Sequence, residues 1–295
     1  MLKYQTVKEL VDAADAEGKK ISEIVIADQA EQMEAGREEL FGKMAEDYRI
    51  MKESAEEGCS AGIRSASGLT GGDAYLLAKA AESGESLCGG MFSDAIAKAV
   101  AVSELNASMG RIVAAPTAGS CGIMPGTLIA FQEEYGADNE TIVMSMFTAA
   151  AVGMVINNVA CLAGAGGGCQ AECGSASSMA AAALTEAAGG TPDMVSHAAA
   201  IAMKNILGLV CDPVAGLVEI PCIKRNAGGT ANAICAAEMA LAGVKSRIPC
   251  DDVLLAMKHV GDSMPEALRE TAMGGLADTP SGRAMKERVF GKQNK

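Results

Sequence analysis

The chain has 295 residues, of which 49% are hydrophobic and 3% aromatic, so its core must be built from aliphatic side chains and 18 methionines. The formal net charge of −13 argues against binding to nucleic acid or to an anionic membrane surface. Ten cysteines without a visible signal peptide favour metal binding or catalysis over disulfides, so we expect a cytoplasmic protein.

Apolar residues recur at helical spacing along most of the chain, whereas the alternating pattern of strands is almost absent. The predicted helices cover residues 7–17, 22–57, 73–83, 93–109, 126–135, 139–162, 175–188, 192–209, 230–243, 250–260 and 264–270. Asp73, Ser93 and the pair Thr191-Pro192 are interpreted as helix starts. We therefore predict a mainly α-helical fold with one domain over residues 1–295, whose charged N-terminal segment 1–58 faces a partner.

The stretch between Glu140 and Glu172 carries no charge and is long enough to cross a bilayer. However, Asn157 and Asn158 lie in its middle, and the glycines between 164 and 168 interrupt its end. We predict a buried helix of a soluble protein with no membrane span.

Five loops between the predicted helices are rich in Gly, Ser, Thr and Pro. They cover residues 64–72, 115–126, 164–174, 211–216 and 221–229. Glycine lets a backbone approach a ligand, and helix N-termini favour anions. Ser67, Thr70 and Gly71 precede one predicted helix, and Ser120 precedes another. We expect these residues to bind a carboxylate, with tight helix–helix turns as the alternative interpretation.

The cysteines of these loops give a stronger signal. Cys169 lies among glycines, while Cys211 and Cys222 flank a segment that can return both thiolates to one site. Cys173 competes with Cys169, since the two form a Cys-x3-Cys pair. The spacing is not that of a zinc knuckle, and three soft thiolates suit an iron–sulfur cluster. Three protein ligands on a four-iron cluster would leave one iron open to substrate.

The quoted loops resemble a known family. SASGLTGG (65–72), APTAGSCGIMPG (115–126), GAGGGCQAECGSASSMAAA (164–182), CDPVAGLVEIPCIKRN (211–226) and RETAMGGLADTPSG (269–282) are similar to the alpha chain of the bacterial iron–sulfur-dependent L-serine dehydratases. The resemblance spans nearly the whole chain. It implies a helical catalytic domain with a [4Fe–4S] cluster on Cys169, Cys211 and Cys222, and no such role for Cys173. It also implies conversion of L-serine to pyruvate and ammonia without pyridoxal phosphate.

Two departures from the single-chain members bear on the partner. Those members carry an additional N-terminal domain and a C-terminal cysteine that can reach the open iron, whereas this sequence ends Gln293-Asn294-Lys295. The resemblance therefore implies the two-chain form, with a separate beta chain as partner and a higher oligomer. The last residues, Lys292 to Lys295, are predicted to be disordered.

The roles of single residues are the least determined part of the prediction. His197 and Lys224 are the predicted general bases. The alternatives are helix packing for His197, charge neutralisation or a surface role for Lys224, and a base supplied by the partner chain. Arg225 and Asn226, beside Cys222, are predicted to join Ser67, Thr70, Gly71 and Ser120 in substrate binding. Glu172 and Glu219 are expected to orient the backbone or the substrate ammonium. Two further functions stay open: an L-cysteine desulfidase with the same cluster, and a non-catalytic iron–sulfur or zinc protein.

Overall fold

The computed structural model describes residues 3–291, so the predicted disorder of Lys292 to Lys295 lies outside the described residues. Between residues 3 and 291 the chain forms thirteen α-helices and no strand, which confirms the mainly α-helical fold. The helices are α1 (Val7–Glu17), α2 (Ile21–Gln32), α3 (Arg37–Gly58), α4 (Asp73–Glu82), α5 (Gly90–Ala107), α6 (Ile123–Tyr135), α7 (Asn139–Val159), α8 (Gly164–Gly167), α9 (Ser175–Ala187), α10 (Pro192–Lys204), α11 (Cys222–Leu241), α12 (Cys250–Ser263) and α13 (Pro280–Phe290).

Helix α9 occupies the centre of the fold and packs against α6, α7, α10 and α11. Its residues are mainly Ala and Ser, and nearly all of them are buried. Small side chains let the surrounding helices approach closely while still filling the interior. One large polar group is enclosed here: Glu186 accepts hydrogen bonds from Thr148 Oγ1 at 2.7 Å and from the backbone N–H of Ser22 at 3.2 Å. This carboxylate links α2, α7 and α9.

Glycines bring α6 into backbone contact with α5. A Cβ added at Gly122 would lie 2.1 Å from the carbonyl oxygen of Ala99, and one at Gly126 would lie 2.7 Å from that of Ala95. No other residue type fits these positions without a shift of the helices. The loop of residues 115–126 is thereby held against α5.

Helix α7 is the predicted uncharged helix. It is long and apolar enough to cross a membrane, but 72% of its most apolar window is buried inside the protein. Its neighbours are α2, α3 and α9. It therefore packs as a core helix, and it ends at Val159 rather than at residue 162.

The N-terminal segment differs from its prediction. The single helix expected over residues 22–57 is two helices, because Glu34 adopts a left-handed φ of 49° and Gly36 caps α3. The segment also contributes to the core, since Leu10, Ile26 and Met51 are almost fully buried. Partner contact by this segment stays a prediction for its charged outer face.

The predicted helix starts divide into three outcomes. Thr191-Pro192 is confirmed, because Thr191 accepts a hydrogen bond from the backbone N–H of Met194 and Pro192 is the first helical residue. The helix start predicted at Ser93 is wrong, since α5 begins earlier, at Gly90. Asp73 does begin α4, but its cap is Gly72.

A buried carboxylate satisfies the N-terminus of α4. Glu104 of α5 accepts the backbone N–H groups of Gly72, Asp73 and Ala74 at 3.0, 3.0 and 3.2 Å. Glu104 is only 1% exposed. The anion at this helix N-terminus is therefore part of the protein, which removes one of the predicted carboxylate sites.

The C-terminal third holds the largest errors of helix prediction. Helix α11 begins at Cys222 instead of residue 230, and α10 ends at Lys204 instead of residue 209. Residues 264–270 form only a short 3-10 turn, Glu266–Leu268. Helix α13 was not predicted, although Thr279 and Pro280 cap it as Thr191 and Pro192 cap α10.

The Glu104 contacts predict a large loss of stability on truncation. Glu104→Ala should lower the free energy of unfolding by about 3 kcal/mol, because three buried N–H donors lose a charged acceptor. Glu104→Gln should cost about half as much, since it keeps an amide oxygen. Chemical denaturation of the purified chain measures both, with the exposed Glu38→Ala as control. An Ala variant as stable as the control would contradict this role of Glu104.

Candidate metal centre

Three different local structures position the predicted ligands. Cys169 directly precedes a π-helical turn, Gln170–Gly174, which leads into α9. Cys211 lies in extended backbone, and Cys222 is the first residue of α11. The three residues are 2%, 3% and 7% exposed, so their thiols face the interior.

The segment after α12 holds the backbone of Cys211. The N–H of Cys211 donates to the carbonyl of Leu268 at 2.9 Å, and its own carbonyl accepts the N–H of Glu270 at 2.7 Å. These two bonds make the isolated parallel bridge between Cys211 and Arg269. The RETAMGG segment therefore belongs to the centre, although it carries no cysteine.

The thiols lie within electrostatic reach of one another. Burial raises the pKa of Cys211 well above its usual range, and negative charge on Cys169 and Glu172 raises it further. Burial and the same two groups raise the pKa of Cys222 to about 12, against the lowering effect of Arg225. The three cysteines and Glu172 thus share one buried, negatively charged region.

Cys169 differs from the other two predicted ligands. A hydrogen bond with Cys173 and the positive charge of Arg225 lower the pKa of the Cys169 thiol, although burial acts in the opposite direction. The sulfurs of Cys169 and Cys173 are 3.4 Å apart. Cys169 is therefore the thiol that ionises most readily.

Arg225 connects the two chain segments that carry Cys169 and Cys211. Its guanidinium donates to the carbonyl of Val210 and to Asp212 Oδ1, each at 2.8 Å, and it also interacts with the Cys169 thiolate. The second oxygen of Asp212 accepts the N–H of Leu276 at 2.8 Å. Both side chains are largely buried, so Arg225 neutralises charge and positions the loops. Its role in substrate binding stays a prediction.

Glu172 is the carboxylate beside these thiols. Thr117 Oγ1 donates to Glu172 Oε1 at 2.7 Å. Burial raises the pKa of Glu172, the Thr117 hydrogen bond lowers it, and Glu270 raises it. Two glycines leave room around the carboxylate: an added Cβ at Gly119 would lie 2.7 Å from Oε1, and one at Gly164 would lie 3.3 Å from Oε2.

Gly164 also borders Cys211. The same added Cβ would lie 2.7 Å from Cys211 Sγ, so any larger side chain at residue 164 would displace the thiol or Glu172. Gly164 therefore lets the Cys211 thiol and the Glu172 carboxylate approach each other closely. Glu172 itself remains partly accessible.

Asn226 and Ser120 lie close to this region, but their polar atoms are occupied. Asn226 accepts the N–H of Gly122 at 2.8 Å and donates to the carbonyls of Gly119 and Cys222 at 2.8 and 3.0 Å. Ser120 is fully buried, with its hydroxyl 3.0 Å from that of Thr117. Asn226 thus joins α11 to the loop of residues 115–126, which positions Thr117 and hence Glu172.

The other predicted substrate residues lie in a second group. Ser67 and Thr70 both donate to Oε2 of the buried Glu219 at 2.9 Å. Gly71, with a φ of +125°, is packed against backbone atoms of Ile63 and Arg64. Thr70, Gly71 and Lys224 line a surface pocket of about 370 Å³, in which Lys224 pairs with Asp73.

His197 lies on a different face of the protein. Its Nδ1 accepts the N–H of Ser246 at 3.4 Å, and its Nε2 is 3.5 Å from Asp193. It lines a pocket of about 590 Å³ formed with α1 and the start of α12. The structure therefore gathers Cys169, Cys211, Cys222, Arg225, Asn226 and Ser120, and places Lys224 and His197 in other surroundings.

Within residues 3–291, no three His, Cys, Asp or Glu side chains lie close enough together to bind one metal ion. An iron–sulfur cluster is a larger body held by thiolates on separate irons, with charge-neutralising neighbours. Cys169, Cys211 and Cys222 supply three buried thiols with Arg225 beside them, which is the donor chemistry that such a cluster uses.

Two residues of the centre were not singled out from the sequence. Thr117 lies inside the quoted APTAGSCG segment, and Asp212 immediately follows Cys211. The available signal for both residues was their position: each is a polar residue in a loop that already contains a candidate site residue. Their partners, Glu172 and Arg225, are distant in sequence and could not be paired without the fold.

Comparison with known proteins identifies the family of the chain. Residues 16–277 match the family described as serine dehydratase alpha chain. The chain is 51% identical over 288 residues to the probable L-serine dehydratase alpha chain of Bacillus subtilis, covering 98% of this chain and 96% of that one. It is 46% identical over 281 residues to the L-serine dehydratase alpha chain of Peptoniphilus asaccharolyticus, covering 95% and 96%. An L-serine dehydratase of Streptomyces coelicolor is 38% identical over 287 residues, which cover 94% of this chain and 62% of that protein. The chain therefore belongs to the serine dehydratase alpha chain family.

Proposed function

We propose that the chain catalyses the dehydration and deamination of L-serine to pyruvate and ammonia. Family membership and the names of the two full-length relatives support this reaction. The observation that carries it is the joint position of three buried cysteines and one partly accessible carboxylate, Glu172, which Gly119 and Gly164 allow to lie close to Cys211.

Cys169, Cys211 and Cys222 would hold a [4Fe–4S] cluster. When bound by three thiolates, such a cluster supplies one iron without a protein ligand, a Lewis acid for a hydroxyl leaving group. Arg225 offsets part of the negative charge that the buried thiolates bring together. Asp212 keeps the guanidinium in place through its hydrogen bond at 2.8 Å.

We assign Glu172 the role of binding the α-ammonium group of the substrate. Thr117 fixes Oε1, and Oε2 points towards Gly164 and Cys211. An anionic carboxylate in this position would orient the amino acid with its Cα and hydroxyl towards the thiol region. Thr117 and Asn226 would act indirectly, because Thr117 holds the Glu172 carboxylate and Asn226 holds the loop that carries Thr117.

The acceptor of the Cα proton stays a prediction. His197 interacts with Ser246 and Asp193, and Lys224 is exposed and paired with Asp73. A general base must reach the proton that it removes. A base supplied by the beta chain fits these positions better than either residue.

The alpha-chain designation of the two relatives supports a beta chain as partner. We propose a complex of alpha and beta chains, assembled into a higher oligomer in the cytoplasm. Anaerobic co-purification of both chains, followed by an assay for pyruvate formed from L-serine, tests the reaction. Faster turnover of L-cysteine would favour the desulfidase alternative, and a metal-loaded complex without turnover would favour a non-catalytic protein.

Single replacements of the ligands should separate them from other buried cysteines. Cys169→Ser, Cys211→Ser and Cys222→Ser should each lose most of the iron and acid-labile sulfide after anaerobic reconstitution, because a thiolate ligand is removed. Cys250→Ser, at an equally buried position at the start of α12, is the matched control and should keep both. Equal losses in all four variants would indicate unfolding and contradict the assignment.

Glu172→Gln should weaken serine binding while leaving the cluster in place. Loss of a partly buried charge partner for the ammonium should reduce kcat/KM by about 100-fold, with most of the effect in KM. Iron and sulfide content should stay at the level of the unmodified complex. Glu270→Gln removes the same charge from a neighbouring exposed side chain and should have little effect. Equal effects of both variants would refute a specific contact of Glu172.

A further inference from the structure

We propose that Cys173 is a positioning residue of the cluster: its thiol donates a hydrogen bond to the sulfur of Cys169 and thereby controls the electron density on that ligand. The inference rests on the proposed function, because it takes Cys169 as a ligand. It assigns a role to a cysteine that neither ligand binding nor substrate binding uses.

The geometry of the π-helical turn brings the two sulfurs together. The turn Gln170–Gly174 follows Cys169 directly and contains Cys173, and the Sγ atoms of the two cysteines are 3.4 Å apart. The wider winding of a π-turn is frequent at functional sites. The side chain of Gln170 anchors this turn to neighbouring segments. Its amide group donates to the carbonyl of Met257 at 2.8 Å and accepts the N–H of Gly208 at 2.9 Å.

The direction of the hydrogen bond follows from the chemistry of a ligand. A sulfur bound to iron carries no proton, so a hydrogen bond between these two sulfurs requires the proton to be on Cys173. Cys173 is 1% exposed and therefore has no access to water as an alternative partner. The two sulfurs are 3.4 Å apart, within hydrogen-bond range for either donor, and loss of the Cys169 proton on binding iron leaves Cys173 as the donor.

Hydrogen bonds to ligand sulfurs are among the factors that set the reduction potential of an iron–sulfur cluster. A donor withdraws electron density from the thiolate, which favours the reduced cluster and makes oxidation harder. The Cys173 thiol should therefore raise the reduction potential and slow the loss of the cluster in air.

The test compares Cys173→Ala and Cys173→Ser in the reconstituted complex of alpha and beta chains. The readouts are the reduction potential, followed by the EPR signal of the reduced cluster, and the rate at which visible absorbance is lost in air. Ala, which has no donor, should shift the potential to more negative values and speed the loss several-fold. Ser, which keeps an O–H donor, should lie between Ala and the unmodified protein. Cys250→Ala removes a thiol of similar burial elsewhere and should change neither readout.

Three results would overturn the proposal, and they differ from a failure of the proposed function. An unchanged potential and an unchanged rate of loss in Cys173→Ala would show that the hydrogen bond has no influence. Complete loss of iron in Cys173→Ala, with a retained cluster in Cys169→Ala, would make Cys173 the ligand. Identical behaviour of the Ala and Ser variants would show a packing effect. Absence of any cluster in the unmodified complex would instead refute the proposed function.

Discussion

The centre depends on the interactions of the Arg225 guanidinium, because this cation lies among the buried cysteine thiols and acidic side chains. It bonds to Val210 and Asp212 beside Cys211 and acts on the Cys169 thiolate, so one cation joins two loops that are more than forty residues apart in sequence. Uncompensated burial of several anionic groups would be costly. Arg suits this position better than Lys, since its planar fork can serve several acceptors at once.

Buried carboxylates likewise hold separate segments of the chain together elsewhere in the fold. Glu104 caps α4, Glu186 joins α2 to α7 and α9, and Glu219 accepts the hydroxyls of Ser67 and Thr70. Each carboxylate fixes a loop or helix end that the small residues of this core could not hold by packing alone. Glu172 belongs to this set by its Thr117 bond, but it is partly accessible and lies close to Gly164, which also borders Cys211. That difference is why we assign Glu172 a ligand and the others a structural role.

The sequence predicted the helical class, whereas the contacts of polar residues could not be predicted from it. Helix periodicity and the Thr-Pro cap located α1, α7 and α10, because these signals are local. The start of α11 was missed because Gly228 and Gly229 lower helix propensity, an effect that packing against α5 and α9 overrides. The internal partners at Ser67 and at the start of α4 could not be predicted, since Glu219 and Glu104 come from distant segments. Cys173 could be named a competitor of Cys169, but its hydrogen bond to that sulfur requires the π-turn.

The central claim is that Cys169, Cys211 and Cys222 hold a cluster whose remaining iron meets the substrate. Mössbauer spectroscopy of the iron-enriched complex of alpha and beta chains, recorded anaerobically with and without L-serine, tests it most directly. One iron site should change its spectrum when L-serine is added, while the three thiolate-bound irons stay nearly constant. A cluster whose spectrum is indifferent to L-serine, or a complex that binds no cluster, would contradict the account.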